Sequence, residues 1–403
     1  MKRRNTITAL LFLVLTAAGL VLVATSFLGG EGKLEALLKT TVRERDPVVL
    51  LEGAESAVNS DLDRDHLFIQ LYGGVQRLSG RRVIQDMVAG NTVAKLSTGA
   101  LNFVNLGAAA QPDQAAVDAR AEATEEFAGA LEKLGIPYLY VAAPQKIQRG
   151  GDTLPKGLEE NGNATCDAYL EGLDRLGVDY IDLRPLFESN GIYSNWFFRT
   201  DHHWKPEAAF FAWQYLSGQL DLKYGFETPA SLTDPDNWNA KVLEDFFLGS
   251  QGKRVGSLYA GVDDFTLLTP KFETNLTYTN SDGSFTRSGS FDQSVCFPER
   301  VAERDWFNAN PYTYYSGGDY GMATMVNHKN QEGPKVVLLR ESFSCTLAPF
   351  LALSCSELTT IDLRHFSGDL METIQELEPD LVMTLYTAST TGLDNMFIFE
   401  ATE

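Results

Sequence analysis

Five short runs rich in apolar residues, at 137–143, 178–183, 335–340, 358–363 and 380–386, alternate with stretches of helical character. A run of that length without polar alternation is a strand buried on both faces, as in a parallel sheet covered by helices. Ala115–Leu134 is rich in Ala and Glu, carries apolar positions at helical spacing and stops at Gly135. Glu207–Leu216 reads as a helix entered through Pro206 with Gly218 as its stop, and Leu370–Leu377 as another. Such a chain is an α/β protein with a mainly parallel sheet, and reactive side chains in that architecture gather at the carboxyl ends of strands.

Residues 224–334 break the pattern. Thr, Gly, Asp, Ser and aromatics dominate, as in Thr274–Thr279 and Ser284–Ser288, so this stretch reads as a β-rich insertion covering the site. A length of 403 residues with 44% hydrophobic content suits one large domain, here 65–403, preceded by a charged stalk at 31–64 that has no sustained apolar face. Lys2, Arg3 and Arg4 precede an apolar run from Ile7 to Leu28, about 33 Å long as a helix and able to cross a bilayer of about 30 Å. Ala24–Ser26 offers a cleavage site, but the run is longer than the roughly 7–15 residues of a signal-peptide core. Residues 1–30 therefore read as an anchor, with a signal peptide as the alternative, and the basic flank leaves the rest of the chain outside.

The formal charge of −21 supplies no basic stripe for phosphates, which excludes nucleic acid as a partner. It favours a neutral glycan over an anionic one unless a local basic patch intervenes. Cys166, Cys296, Cys345 and Cys355 lack metal-site spacing and are either buried thiols or disulfides with three possible pairings. On one helix Cys345 and Cys355 would be about 15 Å apart, too far for a bridge.

The chemistry centres on Asp201-His202-His203-Trp204 and on Ser342. In an extended segment residues two apart project to one side, so Asp201 can hold His203 by one nitrogen while His202 points away. Ser342 follows the 335–340 strand at the start of an apolar helix, where a nucleophile is presented, and Ser344 is better placed to cap that helix. Zinc or iron would also take Asp and His, but adjacent histidines point apart in a strand and no further ligands follow at helical spacing, so no metal is expected. Lys146 follows the 137–143 strand, and Arg364 follows the 358–363 strand with His365 beside it; either cation could meet substrate, and Arg364 could instead steady a carboxylate. Tyr193, Trp196, Phe197, Phe198 and Trp204 crowd the approach to the Asp/His pair, and aromatic faces suit sugar rings. The substrate-side candidates are thus Arg364, Lys146, His202, Trp204 and Tyr193.

The stretch Phe198–Ala208 resembles the signature of the DHHW proteins, which are similar to the SGNH-hydrolase-like proteins that O-acetylate alginate at the bacterial cell surface. Arg340–Leu351 resembles their nucleophile segment, with Glu341 where Asp is usual. Ile361–Phe366 resembles the following strand end, Asp65–Gly73 an amphipathic leading segment, and the resemblance runs from about Asp65 to Tyr386. Asp201 and His203 precede Ser342, the circularly permuted order of the alginate-type proteins. The resemblance implies an SGNH-hydrolase-like, flavodoxin-like three-layer α/β fold with a parallel sheet, and a triad of Ser342, His203 and Asp201 that needs no cofactor. It also implies a glycan acceptor and an acyl donor supplied by a membrane-bound O-acyltransferase. The expected protein is an extracytoplasmic serine acyltransferase, membrane-anchored or secreted, that O-acetylates a surface glycan. A carbohydrate esterase with the same triad and a non-catalytic glycan-binding or assembly protein are the alternatives.

Overall fold

The computed structural model describes residue 21 and residues 66–86, 90–104 and 111–399. The chain divides into two compact units, Met1–Val75 and Gln76–Glu403, and the sheets described below lie in the second. The expected anchor at 7–28, apart from Val21, and the expected stalk at 31–64 lie outside the described residues. Among the described residues no helix is long and apolar enough to cross a membrane. The amphipathic leading segment falls on a helix, Leu67–Leu78.

Strands β1 (Val83–Gln85), β2 (Thr92–Lys95) and β3 (Leu101–Val104) form a small antiparallel sheet. Strands β4 (Tyr138–Ala143) and β5 (Tyr180–Asp182) begin the main sheet, and β6 (Trp238–Phe247) and β7 (Asp263–Pro270) pair as a separate antiparallel ribbon. Next come β8 (Leu276–Asn280), β9 (Thr286–Gly289), β10 (Met322–Asn327), β11 (Lys335–Arg340), β12 (Glu357–Ile361) and β13 (Leu381–Thr387). The main sheet runs β5-β4-β13-β11-β12-β10-β8-β9. Its first five strands are mutually parallel, and β10, β8 and β9 extend it antiparallel. Three strands of the 224–334 segment therefore belong to the main sheet, an arrangement that its alternating burial at β8 and β10 fits.

Helices cover both faces. The principal ones are α1 (Gln114–Lys133), α2 (Gly162–Leu176), α3 (Pro206–Tyr224), α4 (Ser250–Val255), α5 (Ser344–Leu351) and α6 (Leu370–Leu377). Alternate residues of each strand serve different cores. Leu139, Val141, Leu338 and Met383 pack with α3, α5 and the aromatics of 224–334, whereas Tyr140, Val337, Leu339 and Val382 pack with α1, α2 and α6. The result is a three-layer α/β sandwich with a mixed, mostly parallel sheet.

Two local expectations change. The helix after the Asp/His segment continues through Gly218 to Tyr224, because one interior glycine costs only about 1 kcal/mol, and the stop is Gly225 in the left-handed region at φ 71°. All four cysteines are free and buried, so the disulfide alternative does not hold.

Candidate active site

The residues singled out in sequence meet at the carboxyl ends of the parallel strands. The Asp/His segment is a tight loop closed by an antiparallel bridge between Phe197 and Trp204, with Phe198 N–H donating to His203 O at 3.2 Å and Lys205 N–H to Trp196 O at 2.8 Å. The loop bends at 201–203 rather than running extended. One oxygen of Asp201, Oδ1, accepts both the backbone N–H of His203 at 3.1 Å and its Nδ1 hydrogen at 2.5 Å. The aspartate thus makes an Asx turn and fixes the ring two residues on with the same atom. A carboxylate here accepts only, so Nδ1 carries the hydrogen and Nε2, 2.8 Å from Ser342 Oγ, is left to accept the hydroxyl proton.

The bend also alters the place of His202. Instead of pointing away, its ring lies against His203 with centroids 3.8 Å apart, its Nδ1 is 3.6 Å from Asp201 Oδ1 and 3.1 Å from Ser250 Oγ, and 41% of its side chain is exposed. Burial and the neighbouring His203 push its ionisation down. Asp201 is buried, which by itself raises its pKa, but His203, His202 and the Ser250 N–H together hold it well below the usual carboxylate range.

A second loop locks the aspartate. Ser250 N–H, at the start of α4, donates to Asp201 Oδ2 at 2.6 Å. Gly249 permits the approach, since a Cβ there would lie 2.1 Å from Asp201 Cβ. Buried Asp263 on β7 accepts from Arg199 N–H, Thr200 N–H and Thr200 Oγ1 at 2.9, 2.8 and 2.6 Å, and Thr200 Oγ1 in turn accepts from Gly249 N–H at 2.9 Å. Asp201 thereby accepts from three protein donors, two on Oδ1 and one on Oδ2, and the bend also brings His202 close enough that Asp201, His202 and His203 offer ligand atoms within 4.8 Å of one another.

Ser342, partly exposed, sits in the turn between β11 and α5, where Ser344 N–H donates to Glu341 O and Cys345 N–H to Ser342 O, each at 3.0 Å. Ser344 does not cap the helix: the N-cap is Phe343 without a side-chain bond, and Ser344 Oγ is buried with no hydrogen-bond partner among the described residues. Glu341 is buried, which pushes its carboxyl up, and its Oε1 accepts from Thr387 N–H at the end of β13 at 2.9 Å. The Phe343 carbonyl accepts from Trp204 Nε1 at 3.0 Å and from Tyr312 Oη at 3.2 Å. Trp204 is fully buried, and Tyr193 is turned inward to Gln145 O at 2.6 Å.

The two cations also have protein partners. Lys146, 6% exposed, donates to Leu101 O at 2.6 Å, Gln251 Oε1 at 2.8 Å and Arg199 O at 3.4 Å. Burial draws its pKa down to about 7 against the pull of Asp201 and Asp263. Arg364 grips Asp362 through Nε at 2.9 Å and Nη2 at 2.6 Å, and reaches Asp319 at 3.3 Å with 31% of its side chain exposed. Buried Arg340 holds the other Asp319 oxygen at 2.8 Å. Burial alone would raise Asp319, but the two guanidiniums outweigh it and keep it below its ordinary value. Asp319, Asp362 and His365 come together, yet the two carboxylates are already neutralised by two arginines and need no cation. Sequence reasoning missed Thr200, Gly249, Ser250, Asp263, Tyr312 and Asp319, which lie in loops or at the ends of short elements with no periodicity relating them to Asp201 or Ser342.

Residues 103–234 match the family model described as an SGNH hydrolase-like domain, acetyltransferase AlgX. No curated protein sequence matches the chain. The structure of Bacillus cereus PatB1 is similar over 77% of this chain and 100% of its own, with a TM-score of 0.65 and 20% identity. The same protein with a sulfonyl adduct matches over 76% and 99%, with a TM-score of 0.62 and 19% identity. A DHHW family protein from Eubacterium siraeum matches over 80% and 100%, with a TM-score of 0.58 and 17% identity. At these identities the structural likeness is one of fold. The described domain thus has an SGNH-hydrolase-like fold, and its residues 103–234 are similar to the SGNH hydrolase-like domain of the acetyltransferase AlgX family.

Proposed function

We propose that the chain is a serine O-acyltransferase that moves an acyl group, acetyl by its family resemblance, to a hydroxyl of a glycan outside the cytoplasm. The carrying observation is the single hydrogen-bonded line from Asp201 through His203 to Ser342. Ser342 Oγ attacks the acyl carbonyl as His203 Nε2 takes its proton, and the donor leaves with that proton, giving an acyl-serine. The acceptor hydroxyl then attacks the ester, losing its proton to His203 Nε2, and His203 returns that proton to Ser342 Oγ as the serine–acyl bond breaks. Asp201 keeps His203 in the right tautomer throughout. His202 and Arg364, both partly exposed, are the side chains assigned to substrate. Lys146, Trp204 and Tyr193, expected on the substrate side, spend their polar atoms on Leu101 O, Phe343 O and Gln145 O and are assigned instead to fixing those backbone segments. The N-terminal apolar run is assigned to anchoring the domain outside the membrane, with the acyl donor delivered by a membrane-bound O-acyltransferase. Protease added to intact spheroplasts should digest the domain, and protection until lysis would overturn that placement.

The deciding experiment gives purified protein a small acetyl ester with and without a neutral oligosaccharide. Ester cleavage with acetyl appearing on the sugar is expected, and Ser342→Ala should lose both activities. Cleavage without transfer would make the chain an esterase, and full activity in Ser342→Ala would remove the proposed nucleophile.

A further inference from the structure

The imidazole of His203 is held at its faces as well as at its nitrogens. Tyr312 lies nearly parallel to it, with centroids 3.8 Å apart and planes inclined by 15°. His202 sits at the same centroid distance with an inclination of 36° and so must cover the opposite face. Tyr312 is 2% exposed and comes from the turn Pro311–Tyr314, far along the chain from both Asp201 and Ser342. Its hydroxyl donates to Phe343 O at 3.2 Å, so one side chain touches both the ring and the turn that carries Ser342. Burial pushes its phenol well above the ordinary value, so the ring is neutral. The nearby pairs are steeper: Phe198 meets Tyr312 at 86° and Phe343 meets His203 at 49°.

A neutral, electron-rich ring laid flat on an imidazole favours that imidazole when it becomes cationic. On the reading of Ser342, His203 and Asp201 as a triad, His203 becomes cationic in each acyl-transfer step. We propose that Tyr312 is a positioning residue that holds His203 flat in line with Ser342 and stabilises its imidazolium through the ring face. Its hydroxyl serves separately to fix the nucleophile turn.

The test uses phenylmethylsulfonyl fluoride and the full chain, so no glycan need be identified. Ser342 Oγ attacks the sulfur, an O–S bond forms, the S–F bond breaks as fluoride leaves, and the hydroxyl proton passes to His203 Nε2. The labelling rate against pH therefore reads the proton affinity of His203. Asp201 faces its Nδ1, His202 its far side, and Asp319 and Glu341 lie near enough to interact with it; all four are common to every variant. Losing a contact that favours the protonated ring lowers its pKa, so Tyr312→Leu should move the inflection down by about 0.5–1 pH unit and slow the plateau about 3- to 10-fold. Tyr312→Phe keeps the face and should keep the inflection. Should the Leu variant fold poorly by circular dichroism, pentafluorophenylalanine at position 312 keeps the shape but drains the face, and its inflection should lie below that of Tyr312→Phe. An unchanged inflection in the Leu variant, or in the fluorinated variant where it replaces it, overturns the role of Tyr312 and leaves the triad standing. Labelling that survives in Ser342→Ala overturns the triad and this proposal together.

Discussion

Asp201 binds a backbone N–H and a ring nitrogen of the same residue through one oxygen and the start of α4 through the other. Removing the general base typically costs on the order of 10² to 10⁴ in rate, so His203→Ala should fall into that band with a small acetyl ester. Asp201→Asn should be nearly as severe, because an amide can donate and so no longer dictates the tautomer of His203. His202→Ala should lose less than about tenfold, since its ring covers a face of His203 but takes no proton from Ser342. Initial rates on folded variants decide the ranking, and a larger loss at His202 would mean the wrong ring has been assigned. The pairing of Asp201 with His203 was legible from their spacing, although the reason differs: a bend, not an extended segment, brings them together. The same bend explains why His202 was misplaced, for period-two reasoning sends it outward while the Asx turn folds it back onto its neighbour.

Among the elements, the buried strands were legible because short apolar runs such as Lys335–Arg340 and Leu381–Thr387, alternating with helical stretches, fit strands of a parallel sheet covered on both faces. Helix α2 was not, since its first residues, Gly162, Asn163 and Thr165, are weak helix formers and its apolar face, Cys166, Tyr169, Leu170 and Leu173, is short. The turn into α4 gave no sequence signal because its role depends on an absent side chain, that of Gly249. Gly249→Ala should push this turn off Asp201 and forfeit the Ser250 N–H bond. A hydrogen bond to a charged group contributes about 1.5–3 kcal/mol, so ester cleavage should fall roughly 10- to 100-fold. The far-ultraviolet spectrum and the cooperative melt should persist. Wild-type rates in Gly249→Ala would show that Asp201 is held without this loop.

At the scale of the molecule, residues 224–334 looked like a cover laid over a finished domain, yet β10 pairs with β12 along Met322–Val326 and extends the sheet through β8. Phe350 of α5 packs against Trp238, Phe291 and Tyr315 from this segment. Replacing 224–334 by a short linker should therefore give protein without a cooperative thermal transition, since it bares the edge of β12 and unroofs one core. A soluble variant with a sharp melt would show the segment to be an accessory. The topology was hidden because alternation in β8 and β10 reports one buried face but not which sheet supplies it. The position of β13 carries a different consequence. It is the last strand among the described residues, and it lies between β4 and β11, with Val382 opposite Tyr138 and Val336 opposite Leu381. A chain emerging amino end first presents β4 and β5 as an open-edged pair until about 200 residues later, by subtraction of 182 from 381, the strand between the halves arrives. Long-range parallel pairing of this kind is slow to form and exposed to misassociation, so the nascent chain is expected to need protection from premature pairing until β13 has been made.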